Sequence, residues 1–367
     1  MKTDIFIVGG GPVGLASAIA LRSRGFSVTV ADAALPPIDK ACGEGLMPDA
    51  LESLARLGVV LRPEHCFPFR GIRFLGGGDR VDASFPNGTG VGIRRTHLHQ
   101  ALMDRAHEAG ATLLWGTAVR GLTASGVALD GAAVDCRWVI GADGENSRVR
   151  RWAGLETTRR QSLRFGFRRH YRIRPWADCV EIYWGPDSQV YVTPVGPEEI
   201  CVAAISRDSR LRLSQALPFH RELWARLKNA EVTTNERGAV SATRRLARVY
   251  RDRVLLLGDA SGSVDAITGE GLRLGFEQGM ALADALARND LKTYGATHRR
   301  LARRPAFMAD LMLTLDRSAW LRRRVLSALS SDPRIFATQL AMHVGSATTG
   351  DFIRHSMLPL GRHVLAV

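Results

Sequence analysis

Three glycine-and-acid signatures in a fixed order constrain this chain more than anything else in it. They are Gly9-Gly10-Gly11-Pro12-Val13-Gly14, then Gly141-Ala142-Asp143-Gly144, then Gly258-Asp259 leading into Thr268-Gly269-Glu270-Gly271-Leu272. The first closes an apolar run, Ile5 to Val8, that reads as a buried strand, and it opens a helical pattern from Pro12 to Arg24. A second strand, Ser27 to Ala31, ends at Asp32, 18 residues beyond Gly14. Strand, glycine turn, helix, strand and acid in that order form a dinucleotide-binding unit. The helix start offers free amides to a pyrophosphate, and Asp32 stands where an adenosine ribose hydroxyl would lie. Gly9, Gly11, Gly14 and Asp32 are its candidate binding residues.

Two further apolar runs, Trp138 to Ile140 and Val254 to Leu257, end in the second and third signatures. Beyond the third, Leu272, Phe276, Met280, Ala283 and Leu286 recur at helical spacing. That helix would start with free amides and a positive dipole end, and Gly269 and Gly271 let a ligand approach the backbone. A phosphate and a reduced flavin would both suit that placement.

The trio, read in register, resembles the flavoprotein superfamily that includes the single-component FAD monooxygenases and the geranylgeranyl reductases. The resemblance spans residues 1 to about 290. It implies bound FAD, with NAD(P)H as a transient electron donor. It places Asp259 on the ribityl chain, Asp143 and Gly144 near the pyrophosphate and the nicotinamide approach, and Gly269, Gly271 and Leu272 beside the flavin. The arginine of Arg95-x-x-Leu98 is expected to reach the FAD, with Arg94 one residue away. Lys40-Ala41-Cys42-Gly43-Glu44-Gly45-Leu46 is similar to a Cys-Gly stretch of the reductases, where the cysteine lies near the flavin. Lys40 joins the cofactor residues on that basis, and Cys42 joins the catalytic candidates.

The resemblance implies two reactions. One is monooxygenation, in which O2 forms a flavin C4a-hydroperoxide that hydroxylates a hydrophobic or aromatic small molecule. The other is ene reduction of the geranylgeranyl-reductase kind. The sequence departs from both patterns. Gln189 to Pro194 keeps only the proline of the reductases' Tyr-x-Trp-x-Phe-Pro motif, and Ala266 stands where the hydroxylases carry proline. Monooxygenation is the expected reaction, and a non-enzymatic flavin-binding protein is the minor alternative. On the substrate side, His170 shares a strand face with Arg168 and could take a phenolic proton, while Tyr191 could orient a substrate. His97 and His99 read as surface residues.

The expected architecture is α/β: a Rossmann-type FAD-binding domain with an inserted antiparallel β-sheet substrate domain and a helical C-terminal cap. Motif spacing assigns 1–70, 93–155 and 250–290 to the first, 71–92 and 156–249 to the second, and 291–367 to the third. Within the cap, Leu311 to Leu329 and Phe336 to Val344 carry amphipathic patterns.

Five scattered cysteines with no Cys-x-x-Cys spacing predict neither a metal site nor a disulfide framework. No apolar run reaches the ~18 residues of a membrane span, and no export signal is visible, so the expected location is cytoplasmic. The formal net charge is +14 and is carried almost wholly by arginine. From Arg288 onward, 13 Lys/Arg stand against 5 Asp, a net of +8. Such an excess is either a solvated basic face or a seat for a phosphate-bearing substrate, an acidic carrier protein or an anionic surface. Helix-turn-helix, zinc-finger and RNA-recognition signatures are missing, so nucleic acid is not expected as a partner.

Overall fold

The computed structural model describes residues 2–156 and 160–365. Five parallel strands form the heart of one sheet, in the order Val254–Leu256, Ala132–Gly141, Lys2–Val8, Val28–Asp32 and Thr112–Trp115. Short antiparallel strands flank it at Tyr250–Arg251, Val119–Leu122 and Gly126–Leu129. The central strands read as continuous apolar runs because both faces are covered. Ile5, Ile7, Val30 and Ile140 pack toward the helices Pro12–Arg22 and Gly271–Ala287, whereas Phe6, Val8 and Val139 pack on the other side. In the register Val8 pairs with Gly141, and Gly141 with Leu256. All three signature turns therefore leave the sheet along one edge, at the carboxyl ends of adjacent parallel strands, where open α/β sheets bind ligands.

The second sheet runs Glu231–Val232, Arg160–Arg172, Glu199–Ser206, Ser188–Gly196, Cys179–Trp184, Gly71–Gly76 and Asp79–Ser84, with Arg237–Arg244 also on Arg160–Arg172. Its pairings are antiparallel except between Cys179–Trp184 and Gly71–Gly76. That parallel neighbour comes from a distant segment, which local alternation could not show. The 71–92 segment also divides: Gly90–Ile93 joins a small third sheet with Gly45–Leu46 and Cys66–Phe69. One face of the second sheet is covered by Leu213, Leu217 and Leu223, and the other by Val325, Leu329 and Phe336 of the C-terminal helices.

Those helices are Leu291–Arg317, Ala319–Ser331 and Pro333–His343, followed by a further helical stretch over 349–365. The amphipathic run from Leu311 to Leu329 is thus two helices. Ser318 breaks it by accepting a hydrogen bond from Leu321 N as the cap of the second.

Candidate functional site

The first turn is built from glycines that do different jobs. A Cβ on Gly9 would lie 2.4 Å from the Ala142 carbonyl oxygen, and one on Gly14 would lie 1.9 Å from that of Gly9. These two close the turn against backbone. A Cβ on Gly11 would meet nothing within 4 Å, and Gly11 begins the Pro12–Arg22 helix without any side-chain cap. Open space therefore faces an uncapped helix start. Asp32 accepts from Gly10 N and Ala34 N, both at 2.8 Å, so its carboxylate lies against the turn. His99 departs from the sequence reading: it is fully buried and its Nε2 donates to the Gly10 carbonyl at 2.9 Å. Burial lowers its pKa, so the imidazole stays neutral under the turn.

Arg150 ties the second signature to the third. Its buried guanidinium donates to the carbonyls of Glu145 (2.7 Å), Ala260 (3.1 Å) and Asp259 (3.3 Å). Asp143 caps the Arg148–Trp152 helix, accepting from Ser147 Oγ at 2.5 Å and Arg148 N at 2.7 Å. Its carboxylate is thus engaged within its own turn. Asp259 is reached by solvent, which puts it in a cleft rather than in the core. The protein around it still pushes its carboxyl pKa up, as does Glu145, against the opposing charges of Lys40, Arg95 and Arg150. Among the described residues Asp259 accepts no side-chain hydrogen bond, and the buried Nε of Arg95 has no partner. A Cβ on Gly144 would lie 3.7 Å from Lys40 Nζ. Lys40, Arg95, Gly144 and Asp259 therefore converge on one cleft.

A buried ionic network holds the 39–46 loop. Glu44 adopts φ +58°, a left-handed conformation uncommon outside glycine. Its carboxylate accepts from Arg95 N at 2.9 Å and from His170 Nε2 at 2.6 Å. His170 is fully buried, and its Nδ1 accepts from Arg168 (3.1 Å) and from the Thr234 hydroxyl (2.8 Å). Arg168 also pairs with Asp39. Both imidazole nitrogens are occupied, so His170 is built to hold the loop. Glu44, His170 and Cys201 bring ligand atoms within 4.8 Å of one another, with the Arg168 cation bonded to the same imidazole. Cys42 is half-buried, and its sulfur accepts from Glu44 N at 3.4 Å. Tyr191 stands apart from this network. Its hydroxyl lies 2.7 Å from Gln189 Oε1 and 3.0 Å from the Ile267 carbonyl, and burial raises its pKa.

The third signature separates the cleft from a cavity. Gly269, at φ +70°, and Gly271 both open onto space, so that a Cβ on either would meet no atom within 4 Å, and the Gly271–Ala287 helix lacks a side-chain cap. Leu272 follows in its first turn, half-buried. Between them, Glu270 is buried and paired with Arg273 Nη2 at 3.0 Å and His343 Nδ1 at 3.4 Å. Arg273 and Arg304 also hold Asp49, at 3.1 and 3.0 Å. His343 Nε2 lies 3.2 Å from the Thr268 carbonyl. Beyond Ile267 and Thr268 is an apolar cavity of about 300 Å³, walled by Phe74, Ile182 and Trp184 of the second sheet and by Leu329, Phe336 and Leu360 of the C-terminal helices. Sequence reasoning missed Glu44, His99, Arg150, Glu270 and His343, although Glu44 and Glu270 lie inside glycine stretches it had marked.

Open glycines, two uncapped helix starts and unpartnered polar groups around one cleft fit an FAD. The fold and site define an FAD-binding flavoprotein. Residues 2–290 match the family described as an FAD binding domain, and the chain belongs to that family. A menaquinone reductase of Mycobacterium tuberculosis is 30% identical, covering 79% of this chain and 78% of the relative. Digeranylgeranylglycerophospholipid reductase 2 of Methanothermobacter thermautotrophicus is 30% identical, covering 76% of each. The 6-methylpretetramide 4-monooxygenase of Streptomyces rimosus is 28% identical over 79% of this chain and 77% of its own. A flavoprotein/dehydrogenase structure from Cytophaga hutchinsonii superposes with TM-score 0.84 at 18% identity, covering 100% of this chain and 99% of the other. The protein is an FAD-dependent oxidoreductase.

Proposed function

We propose that this enzyme reduces a carbon–carbon double bond in an apolar, isoprenoid-type chain, using NAD(P)H as transient donor. The observation that carries the reading is the apolar cavity, which begins at Ile267 and Thr268, directly before the open glycines. Two of the relatives are reductases, one of them named for a geranylgeranyl lipid. This favours reduction over the hydroxylation expected from the sequence.

In this reading Gly9, Gly11, Gly14 and Asp32 hold the adenosine end of FAD. Lys40, Arg95, Asp143, Gly144 and Asp259 surround its middle, while Gly269, Gly271 and Leu272 border the ring. Residues 1–70, 93–155 and 250–290 form the cofactor domain, 71–92 and 156–249 supply the sheet wall of the substrate site, and 291–367 cap it. When bound, the flavin would supply hydride to one carbon of the alkene, and an exchangeable proton of the site would go to the other. The cavity wall excludes water and aligns the chain. Glu44 and His170 fix the loop that brings Cys42 toward the ring, and Tyr191 ties the sheet wall to the Ile267 carbonyl. His170 thereby acts as a positioning residue.

Hydroxylation remains the second reading, supported by the monooxygenase relative and by the imidazole of His343 on the cavity wall. Mass analysis of products made from a polyprenyl quinone and NADPH under nitrogen tests both. A gain of two hydrogens per reduced bond, located by fragmentation on the prenyl chain after reoxidation of any quinol and independent of O2, is the expected result. A product formed only in air and carrying one added oxygen would overturn the reductase reading.

A further inference from the structure

The wall between the cavity and solvent is a single helix thick. In the 358–365 helix, Leu360, Gly361 and Val364 line the cavity, while Leu358 and Arg362 point to solvent. The Ala319–Ser331 helix repeats the arrangement, with Leu321 on the cavity and Trp320 outside. Four large apolar side chains of the C-terminal helical region are exposed: Leu358 (56%), Trp320 (53%), Ile353 (49%) and Phe307 (45%). They surround one segment. Phe307 packs edge-on against Phe352 beside Ile353, and Arg324 lies over the Trp320 ring while donating to the Val364 carbonyl. Exposed cations alternate with them: Arg323, Arg354 and Arg362 lie in no close ion pair among the described residues, although Asp351 feels the charge of Arg354. No described helix is long and apolar enough to cross a membrane.

We propose that this face seats on the surface of an anionic lipid bilayer, with Trp320, Ile353 and Leu358 in the headgroup boundary and the arginines on lipid phosphates. Exposed aliphatic and aromatic residues among exposed arginines match a surface that offers negative charge above an apolar layer. Tryptophan favours that boundary because its ring is amphipathic. An acidic carrier protein would satisfy the charge but would leave the aliphatic residues without a matching layer. The placement rests on the reductase reading in one respect, because an isoprenoid chain drawn from a bilayer would have only one helix to pass.

The test is sedimentation of the FAD-loaded full chain with substrate-free phosphatidylcholine vesicles, with and without about a quarter phosphatidylglycerol. The protein is expected to pellet with the anionic vesicles at about 0.1 M salt and to be largely released at about 1 M. Arg354→Gln with Arg362→Gln should weaken binding roughly 25-fold, about fivefold per charge. Trp320→Ser with Leu358→Ser should reduce it at least tenfold even at low salt. Trp224→Ser, an exposed tryptophan on the helix covering the other face of the second sheet, should change nothing. No binding by the wild type, wild-type binding by both double variants, or equal loss with Trp224→Ser would overturn the proposal. So would capture by an acidic carrier protein without vesicle binding. Because the vesicles hold no substrate, these outcomes are separate from the fate of the reductase reading.

Discussion

Glu44 shows how much can rest on one side chain. It holds a left-handed backbone without being glycine, and its carboxylate joins a loop, the start of the Arg95–Glu108 helix and the second sheet. Glu44→Ala would leave buried His170 Nε2 and Arg95 N without their acceptor, while Arg168 keeps Asp39. Leaving a buried donor unsatisfied costs about 1–3 kcal/mol, so a loss of about that size per orphaned donor in urea unfolding is expected. Glu44→Gln keeps an acceptor and should cost less. His170→Gln is expected to lower stability and FAD affinity together while leaving the shape of the kcat–pH profile intact; loss of one limb at unchanged stability would make His170 a base after all. A second histidine adds to the acid sensitivity of the fold, as do the other histidines whose pKa burial lowers. His298 Nε2 donates to Ser261 Oγ at 2.7 Å, just past Asp259, and burial lowers its pKa from 6.5 to about 4. The unfolded chain then binds the proton more readily than the folded one, so stability falls as pH drops from about 6.5 toward about 4. The shift corresponds to roughly 3 kcal/mol. His298→Leu, which has no proton to bind, should flatten that slope even if it lowers stability at neutral pH, and an undiminished slope would rule the assignment out.

At the scale of elements, the glycine turns separate fold from function. Gly14→Ala pushes a methyl into the Gly9 carbonyl and should destabilise the folded chain. Gly11→Val and Gly271→Val add atoms only to open space, so each should leave the thermal transition nearly unchanged while lowering FAD affinity at least tenfold. Wild-type flavin titration by both would remove the cofactor site from these turns. The same distinction explains what the sequence could tell. Strands, turns and the two helix starts were legible because each is written in contiguous residues: Ile5 to Val8 with Gly9, or Gly271 with Leu272 and Phe276. His99 was misread because its partner, Gly10, is 89 residues away, and Glu44 meets His170 across 126. The parallel pairing of Gly71–Gly76 with Cys179–Trp184 spans a comparable gap. Such contacts depend on topology, which periodicity does not encode. The break at Ser318 was local and could have been read, since a serine ahead of an apolar helical run is a cap signal.

At the scale of the whole molecule, the cavity belongs to no single element. It exists because the second sheet and the C-terminal helices pack against each other and leave a gap beside Thr268. Gly361 offers a clean way to test whether that gap holds the substrate. It lines the cavity from within the 358–365 helix, and a Cβ placed on it would meet no atom within 4 Å. Replacing a helical glycine with leucine gains up to about 1 kcal/mol of helix propensity. Gly361→Leu should therefore fill the gap without strain and hold or slightly raise the thermal midpoint. Gly361→Ala should gain nearly the same propensity while taking up far less space. With FAD affinity unchanged in both, the leucine variant is expected to raise KM for a long isoprenoid substrate at least tenfold, and the alanine variant to resemble wild type. The steric effect should shrink as the substrate chain is shortened, since a shorter chain need not reach the plugged end. Equal KM values for all three proteins across chain lengths, at equal stability, would mean that the substrate binds elsewhere.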